Sequence, residues 1–438
     1  MKHESAYRAY PTYKDSRIAW LGKVPSEWLI TRTKYVVPFT TGWTPPTGND
    51  ASYVGTNLWA NISDLGTKTL CDTAKRISDE AVTASRVKVS PTGSLLFSFK
   101  LSIGQVSFAG REMFTNEAIA TFLRSSTLSL DYAYYAFPLL LIQNADENIY
   151  GAKLLNQQLI RSAQFALPSL FEQQAIAAFL DRETAKIDEL ITKQNRLIAL
   201  LDEKRQAVIS HAVTKGLDPN VPVKDSGIEW LGNVPAHWSI LPLKRSFRIV
   251  GGSTPKSDDP SFWDGDIQWF TPADLGKSND LYIRESHRTI SQAGLESCST
   301  SIVGCGALVI STRAPIGYIA IAATDLCFNQ GCKALVSYQK ELCVEFFYYL
   351  LLSAADTLNV YGKGTTFLEL SGDVLGAFLV PMPTNSEQEA IASFLINETS
   401  KIDALVEKAK ESIELMKERR SALISAAVTG KIDVRELV

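Results

Sequence analysis

Two stretches of the chain carry apolar residues at heptad spacing with no helix breaker. Residues 169–215 contain neither glycine nor proline and stop at Gly216. Ile176, Leu190 and Leu197 share one heptad position there, and Leu180, Ile187, Leu201 and Val208 share the other. A later stretch ending at Gly430 repeats the pattern with Ile391 and Leu405, then Leu395, Ile402, Met416 and Leu423. This spacing predicts two long helices, each of about 40 residues and about 60 Å at 1.5 Å per residue. Glu183, Lys204, Glu398 and Arg419 interrupt the seam. Each helix could pack on its own neighbourhood alone. A stripe this long favours a partner of equal length, and the other helix is the obvious one. If the two halves of the chain are related by a pseudo-twofold, the pair forms an antiparallel coiled coil.

Ahead of each helix the pattern changes to short β-type runs punctuated by Gly and Pro, such as 94–99 and 306–312. Aromatic and apolar clusters follow at 132–142 and 344–352, and these are read as helical. The fold class is therefore α+β. Two β-rich domains with short helices are expected at 1–167 and 217–379, with the long helices at 168–216 and 380–438.

The halves are copies. D-S-R-I-A-W-L-G-K-V-P-S-E-W from Asp15 returns as D-S-G-I-E-W-L-G-N-V-P-A-H-W from Asp225, 210 positions later. E-Q-Q-A-I-A-A-F-L from Glu172 returns as E-Q-E-A-I-A-S-F-L from Glu387. The offset is 210 through Trp59/Trp269, then 213 from Gly93/Gly306 through Lys100/Arg313 to Pro168/Pro381, and 215 across the E-Q motif. Such a repeat is far longer than a solenoid unit and duplicates a whole domain with its connector. Matched Trp28/Trp238 and Trp59/Trp269 are read as core. Between these landmarks the copies diverge, so they share a scaffold and differ in what they present.

Charge is distributed unevenly. The formal net charge is −3, but residues 1–167 carry 17 Lys/Arg against 13 Asp/Glu, net +4, and residues 217–379 carry 12 against 17, net −5. Nucleic-acid binding would therefore work through local patches or a basic partner. The six cysteines are read as reduced thiols in a cytosolic chain; their spacing is irregular and no His pair accompanies them, which argues against zinc. No apolar run is long enough to span a membrane, and the start of the chain lacks a signal-peptide core. No Walker motif, nucleophile elbow or amino-methyltransferase motif is present; Gly304-Cys305-Gly306 and Gly362-Lys363-Gly364 lack the strand–turn–helix context of a phosphate loop. The chain reads as non-catalytic.

Together, G-G-S-T-P-K (251–256), I-Q-W-F-T-P-A-D-L (267–275), S-T-R-A-P-I-G-Y-I-A (311–320), F-N-Q-G (328–331) and the E-Q-x-x-I-A-x-F-L helix start, repeated in order, resemble the specificity subunit of Type I restriction–modification systems. The resemblance implies two target recognition domains, each reading one half of a bipartite asymmetric site in double-stranded DNA. It also implies that the long helices set the gap and dock two methyltransferase subunits, and that restriction subunits join the complex. S-adenosylmethionine, ATP and Mg would then belong to those partners, with no cofactor in this chain. Two rival readings are a structural two-domain adaptor and the specificity module of a self-contained methyltransferase or endonuclease.

Within that frame, Gly42 and Thr44, and Gly252, Thr254 and Lys256, sit in loops whose hydroxyls and N–H groups could meet phosphate, or in tight turns entering a strand. Lys100 and Arg313 each close a β-run; they could read guanine or phosphate, or form surface ion pairs. Asn116, Asn329 and Gln330 could read adenine or serve a turn internally. Arg86, Lys88 and Arg111 add basic character to the first domain.

Overall fold

The computed structural model describes residues 7–46, 48–85, 87–147, 153–277, 280–313, 315–362 and 369–437. The chain divides into two compact units, one formed by Met1–Gln194 with Glu411–Val438 and the other by Asn195–Lys410. The division cuts both long helices, so each unit is one β-rich domain with half of each helix.

Both units use the same two sheets. In the first, a five-stranded sheet runs Phe39–Thr41, Ile119–Phe122, Leu95–Ser98, Val106–Ala109, Thr69–Leu70. Its pairs are antiparallel except the last, which is parallel. A three-stranded sheet runs Phe114–Thr115, Asn57–Ala60, Lys75–Ile77. The second unit repeats these with Phe247–Gly251, Cys332–Ser337, Leu308–Ser311, Ile319–Ala322 and Tyr282–Ile283, and with Arg288–Ile290, Trp263–Phe270 and Cys327–Phe328.

The central strands are buried on both faces, and their alternate residues enter different cores. Leu95, Phe97 and Phe122 meet Tyr132, Ala133 and Phe137 of the helix Leu130–Leu140 in one buried cluster. In the second unit Leu308, Ile310 and Ile321 meet Phe346, Phe347 and Leu350 of the helix Val344–Ser353. Truncating one such buried aromatic costs about 3–5 kcal/mol. The β-type runs and aromatic clusters thus fold as their pattern predicts.

Each domain closes on itself before its helix begins. Leu29–Arg32 pairs antiparallel with Gln164–Leu167, and Ser239–Pro242 with Leu379–Met382. The E-Q motif fastens that closure to the helix. The buried Trp28 indole donates to Glu172 at 3.0 Å, and Trp238 donates to Glu387 at 3.2 Å. Gln173 is buried; its amide donates to the carbonyls of Pro168 and Thr127 and accepts the N–H of Ser129. Gln388 repeats this with the Pro383 carbonyl and the Cys343 N–H. Burial pushes the Glu387 carboxyl up, but hydrogen bonds from His237, Thr384 and Trp238 outweigh it and hold it at about 2. These contacts correct one sequence match: the twin of Pro168 is Pro383, not Pro381, so the offset of 215 already applies to the closing strand.

In each unit the helix halves run antiparallel. In the first, Trp28 touches Glu172 near the start of Leu170–Lys215 and lies against Gly430, just past the end of Asn385–Val428. Farther along, Arg420 pairs with Asp188 at 3.1 Å. In the second, Trp238 lies against Gly216 and bonds Glu387, and Arg205 pairs with Asp403 at 3.7 Å.

Ile176, Leu180, Ile187, Leu201, Ile391, Leu395, Ile402 and Leu423 are buried as expected, and Met416 is half-buried against the first core. Leu190, Leu197 and Leu405 are not; they are 49%, 43% and 51% exposed. Each stands beside another apolar residue, Ile191, Ile198 and Val406, which is half-buried. Adjacent helix residues point about 100° apart, so only one of each pair can face inward. Both members of each pair lie three or four residues from a buried neighbour (Leu190 and Ile191 from Ile187, Leu405 and Val406 from Ile402, Leu197 and Ile198 from Leu201), so spacing leaves the choice open and packing turns the second member inward.

Candidate nucleic-acid interface

Each domain carries a cluster of loops at matching ends of its sheets. In the first, the chain leaves Phe39–Thr41 through Gly42, where the Trp43 N–H donates to the Thr115 carbonyl at 2.8 Å. A Cβ on Gly42 would sit 1.7 Å from that carbonyl oxygen, so only glycine permits the approach. In the second, Ser253 N–H donates to the Phe328 carbonyl at 3.0 Å, and a Cβ on Gly252 would lie 2.3 Å from two carbonyl oxygens. The Trp59 indole donates to the Trp43 carbonyl at 2.9 Å, and Trp269 donates to that of Ser253 at 3.0 Å. The glycines and tryptophans therefore build the loop, and the side chains that follow are what it presents.

Those side chains meet a second loop. Thr44 donates its hydroxyl to the Glu117 carboxylate, and Thr254 donates to the Gln330 side-chain carbonyl. The neighbouring asparagines take up internal turns: Asn116 accepts the Ala118 N–H and Asn329 accepts the Gly331 N–H. Asn329 thus holds its loop, while Gln330 beside it is exposed.

A third loop joins each cluster. Phe99 N–H donates to the Ala118 carbonyl, which sets the exposed Lys100 beside Glu117. The Thr44 hydrogen bond chiefly, opposed by burial and aided by Lys100, lowers the Glu117 carboxyl below its ordinary range. Beyond Lys100 the chain turns through Leu101, which has φ +46° and is 82% exposed. In the second domain Thr312 N–H donates to the Gly331 carbonyl, and Arg313 pairs through Nε with Glu369 at 3.2 Å. Lys333 reaches the same carboxylate at 3.9 Å; burial lowers its pKa and Glu369 opposes that. The first domain has Ala120 at the position matching Lys333. The acidic second domain thus concentrates two cations around one carboxylate at this head.

Gly42, Thr44 and Lys100 come together, as do Gly252, Thr254, Asn329, Gln330 and Arg313. Arg111 does not join them: it follows Val106–Ala109 at the end away from the Lys100 turn, where its charge acts on Asp72. Lys256 extends from the Gly252 loop into solvent, while its carbonyl accepts the Trp263 indole N–H at 3.0 Å. Arg86, and Lys363 and Gly364 of the glycine-flanked segment, lie outside the described residues. Glu117 and Glu369 were not selected by sequence. Glu117 was legible as the twin of Gln330 at the offset of 213; Glu369 lies 56 residues from Arg313 and had no local signal. All six cysteines are free, and among the described residues no group of three or more His, Cys, Asp or Glu side chains could hold a metal. No helix among the described residues is long and apolar enough to cross a membrane.

Comparison with known proteins places this arrangement. The specificity subunit of the Type I restriction enzyme MjaIX of Methanocaldococcus jannaschii is 35% identical over 190 residues, 42% of each chain. That of the Escherichia coli enzyme EcoR124I/EcoR124II is 25% identical over 259 residues, 56% of each. The matches thus span about half the length of these curated relatives. A structure solved for complex assembly and conformational transition of the type I R-M system superposes with a TM-score of 0.72 at 18% identity, covering 92% of this chain and 98% of that one. The HsdS subunit of Thermoanaerobacter tengcongensis gives 0.56 at 17%, covering 93% and 98%. These two show a shared fold. The model of the Type I restriction modification DNA specificity domain matches residues 25–199 and again 235–415, and the chain belongs to that family.

Proposed function

We propose that this chain is the non-catalytic recognition subunit of a Type I restriction–modification complex, each domain reading one half of a bipartite, asymmetric DNA site. The observation that carries the reading is the twin head: one glycine–threonine–tryptophan scaffold presents Lys100 and Glu117 in one domain and Arg313 and Gln330 in the other. A duplicated frame with exchanged polar tips suits two different base clusters. Arg111, set apart from the head, and Lys256, extending from the head's Gly252 loop into solvent, suit phosphate contacts.

In this reading the long helices set the gap between half-sites and dock two methyltransferase subunits, with restriction subunits joining the complex. The exposed Leu190, Leu197 and Leu405 are apolar surface that docking would cover. S-adenosylmethionine, ATP and Mg are supplied to sites on those partners, in the cytoplasm. The test is co-expression with the cognate methyltransferase. The subunits should copurify and methylate DNA together, while this chain alone binds neither S-adenosylmethionine nor ATP. Methyl transfer by the pure chain would contradict the reading. Inserting four residues after Leu197 adds about 6 Å, close to two base pairs, and should widen the gap by about one or two base pairs with both base clusters kept.

A further inference from the structure

We propose that Glu117 and Gln330 occupy one reading position in the two domains, Glu117 selecting a cytosine through its N4 amino group and Gln330 an adenine. The inference rests on the recognition reading above and adds to it the residue and the base class at that position.

The two residues are structural equivalents. Each lies one residue after the asparagine that turns the loop, and each accepts a hydrogen bond from the threonine of the glycine loop. Both are exposed although one of their oxygens is tethered. The tether fixes the side chain's direction and leaves the rest of its hydrogen-bonding capacity outward. A carboxylate has about four acceptor sites, so Glu117 keeps acceptors after the threonine bond. Gln330 keeps both amide N–H donors and a carbonyl lone pair, the set that matches adenine N7 and N6.

Charge makes Glu117 the informative member. An acid set among phosphates is repelled unless a donor meets it, and in the major groove cytosine N4 is the donor that Glu characteristically accepts. Lys100 beside it offsets the repulsion. A simple loop staple would not need the charge, because Gln330 performs the same tethering without one.

The exchange is also a mild test, since each domain shows that the fold accepts the other's residue there. Glu117→Gln and Gln330→Glu would be made in the chain complexed with its methyltransferase subunits. Two quantities are measured: the methylated motif, and competition by duplexes that each carry one altered base pair. Glu117→Gln should lower the preference for one C·G pair in one half-site by about tenfold or more and leave the other half-site unchanged. Gln330→Glu should do the same to one A·T pair in the opposite half-site. Unchanged motifs and competition profiles would overturn the proposal. So would equal weakening on all duplexes, which marks a staple or a phosphate effect. A wild-type complex with no half-site preference would overturn the recognition reading itself, and this inference with it.

Discussion

The two recognition domains share a frame down to single hydrogen bonds and differ at its tips. Gly42 and Gly252, Trp59 and Trp269, and Asn116 and Asn329 make matching contacts. The tips diverge: Lys100 stands beside Glu117, whereas Arg313 is held by Glu369 with Lys333 behind it. Net charge diverges too, +4 against −5 over 1–167 and 217–379. The lesson is that a domain's overall charge says little about what its tip presents. The second domain is acidic in sum yet presents a planar, oriented guanidinium, and the first is basic in sum yet places a carboxylate at its tip.

The comparison can be broken most severely at the frame. Gly42→Ala should cost its unit ~3 kcal/mol or more, because the added carbon meets a backbone oxygen that cannot move aside. Amide exchange should then show lost protection in the first unit's loop cluster and native protection in the second; Gly252→Ala should give the mirror image. Damage spread equally over both units would refute the independence of the two frames.

At the tips the effects are smaller. Arg313→Ala should cost about 1–3 kcal/mol of binding at one half-site, and Lys100→Ala a similar amount at the other, each without touching its twin. Because the sites are separate, the double variant should be nearly additive. A base contact relaxes one position, whereas a phosphate contact weakens every duplex alike, so competition assays tell the two roles apart. Glu369→Gln should change stability by less than about 1 kcal/mol, since the pair is partly exposed, while loosening the orientation of the Arg313 guanidinium and so weakening the preference of one half-site.

How much of this was legible in the sequence follows from where the signals lie. The frame was legible because duplication marks it: glycines, tryptophans and the E-Q motif recur while their surroundings drift. Their tasks were not, since Gln173 and Trp28 work by contacts 44 and 144 residues apart in sequence. The helices were plain from the absence of breakers, but their seam was misplaced at Leu190, Leu197 and Leu405. Adjacent apolar pairs leave the phase undecided until packing chooses one member. Glu369 could not be found locally, because its partner Arg313 comes from a distant loop.

The smallest predicted difference concerns the helix anchors under acid. The Glu387 carboxyl, held at about 2, lies below its ordinary value, so its stabilising contribution is complete above about pH 4.5 and fades as pH falls toward 2. The Glu387→Gln variant should lose that dependence at the second anchor while the first is unaffected. Equal acid profiles for variant and wild type, measured by tryptophan fluorescence, would contradict the anchor's electrostatic account.

The most direct test of the proposal that two heads read two half-sites is the methylation map of DNA from cells carrying this chain with the proposed methyltransferase partners. The account predicts two unlike base clusters separated by a fixed run of unspecified bases, with Arg313→Ala altering one cluster alone. A contiguous or palindromic motif, or one in which Arg313→Ala alters both clusters, would contradict it.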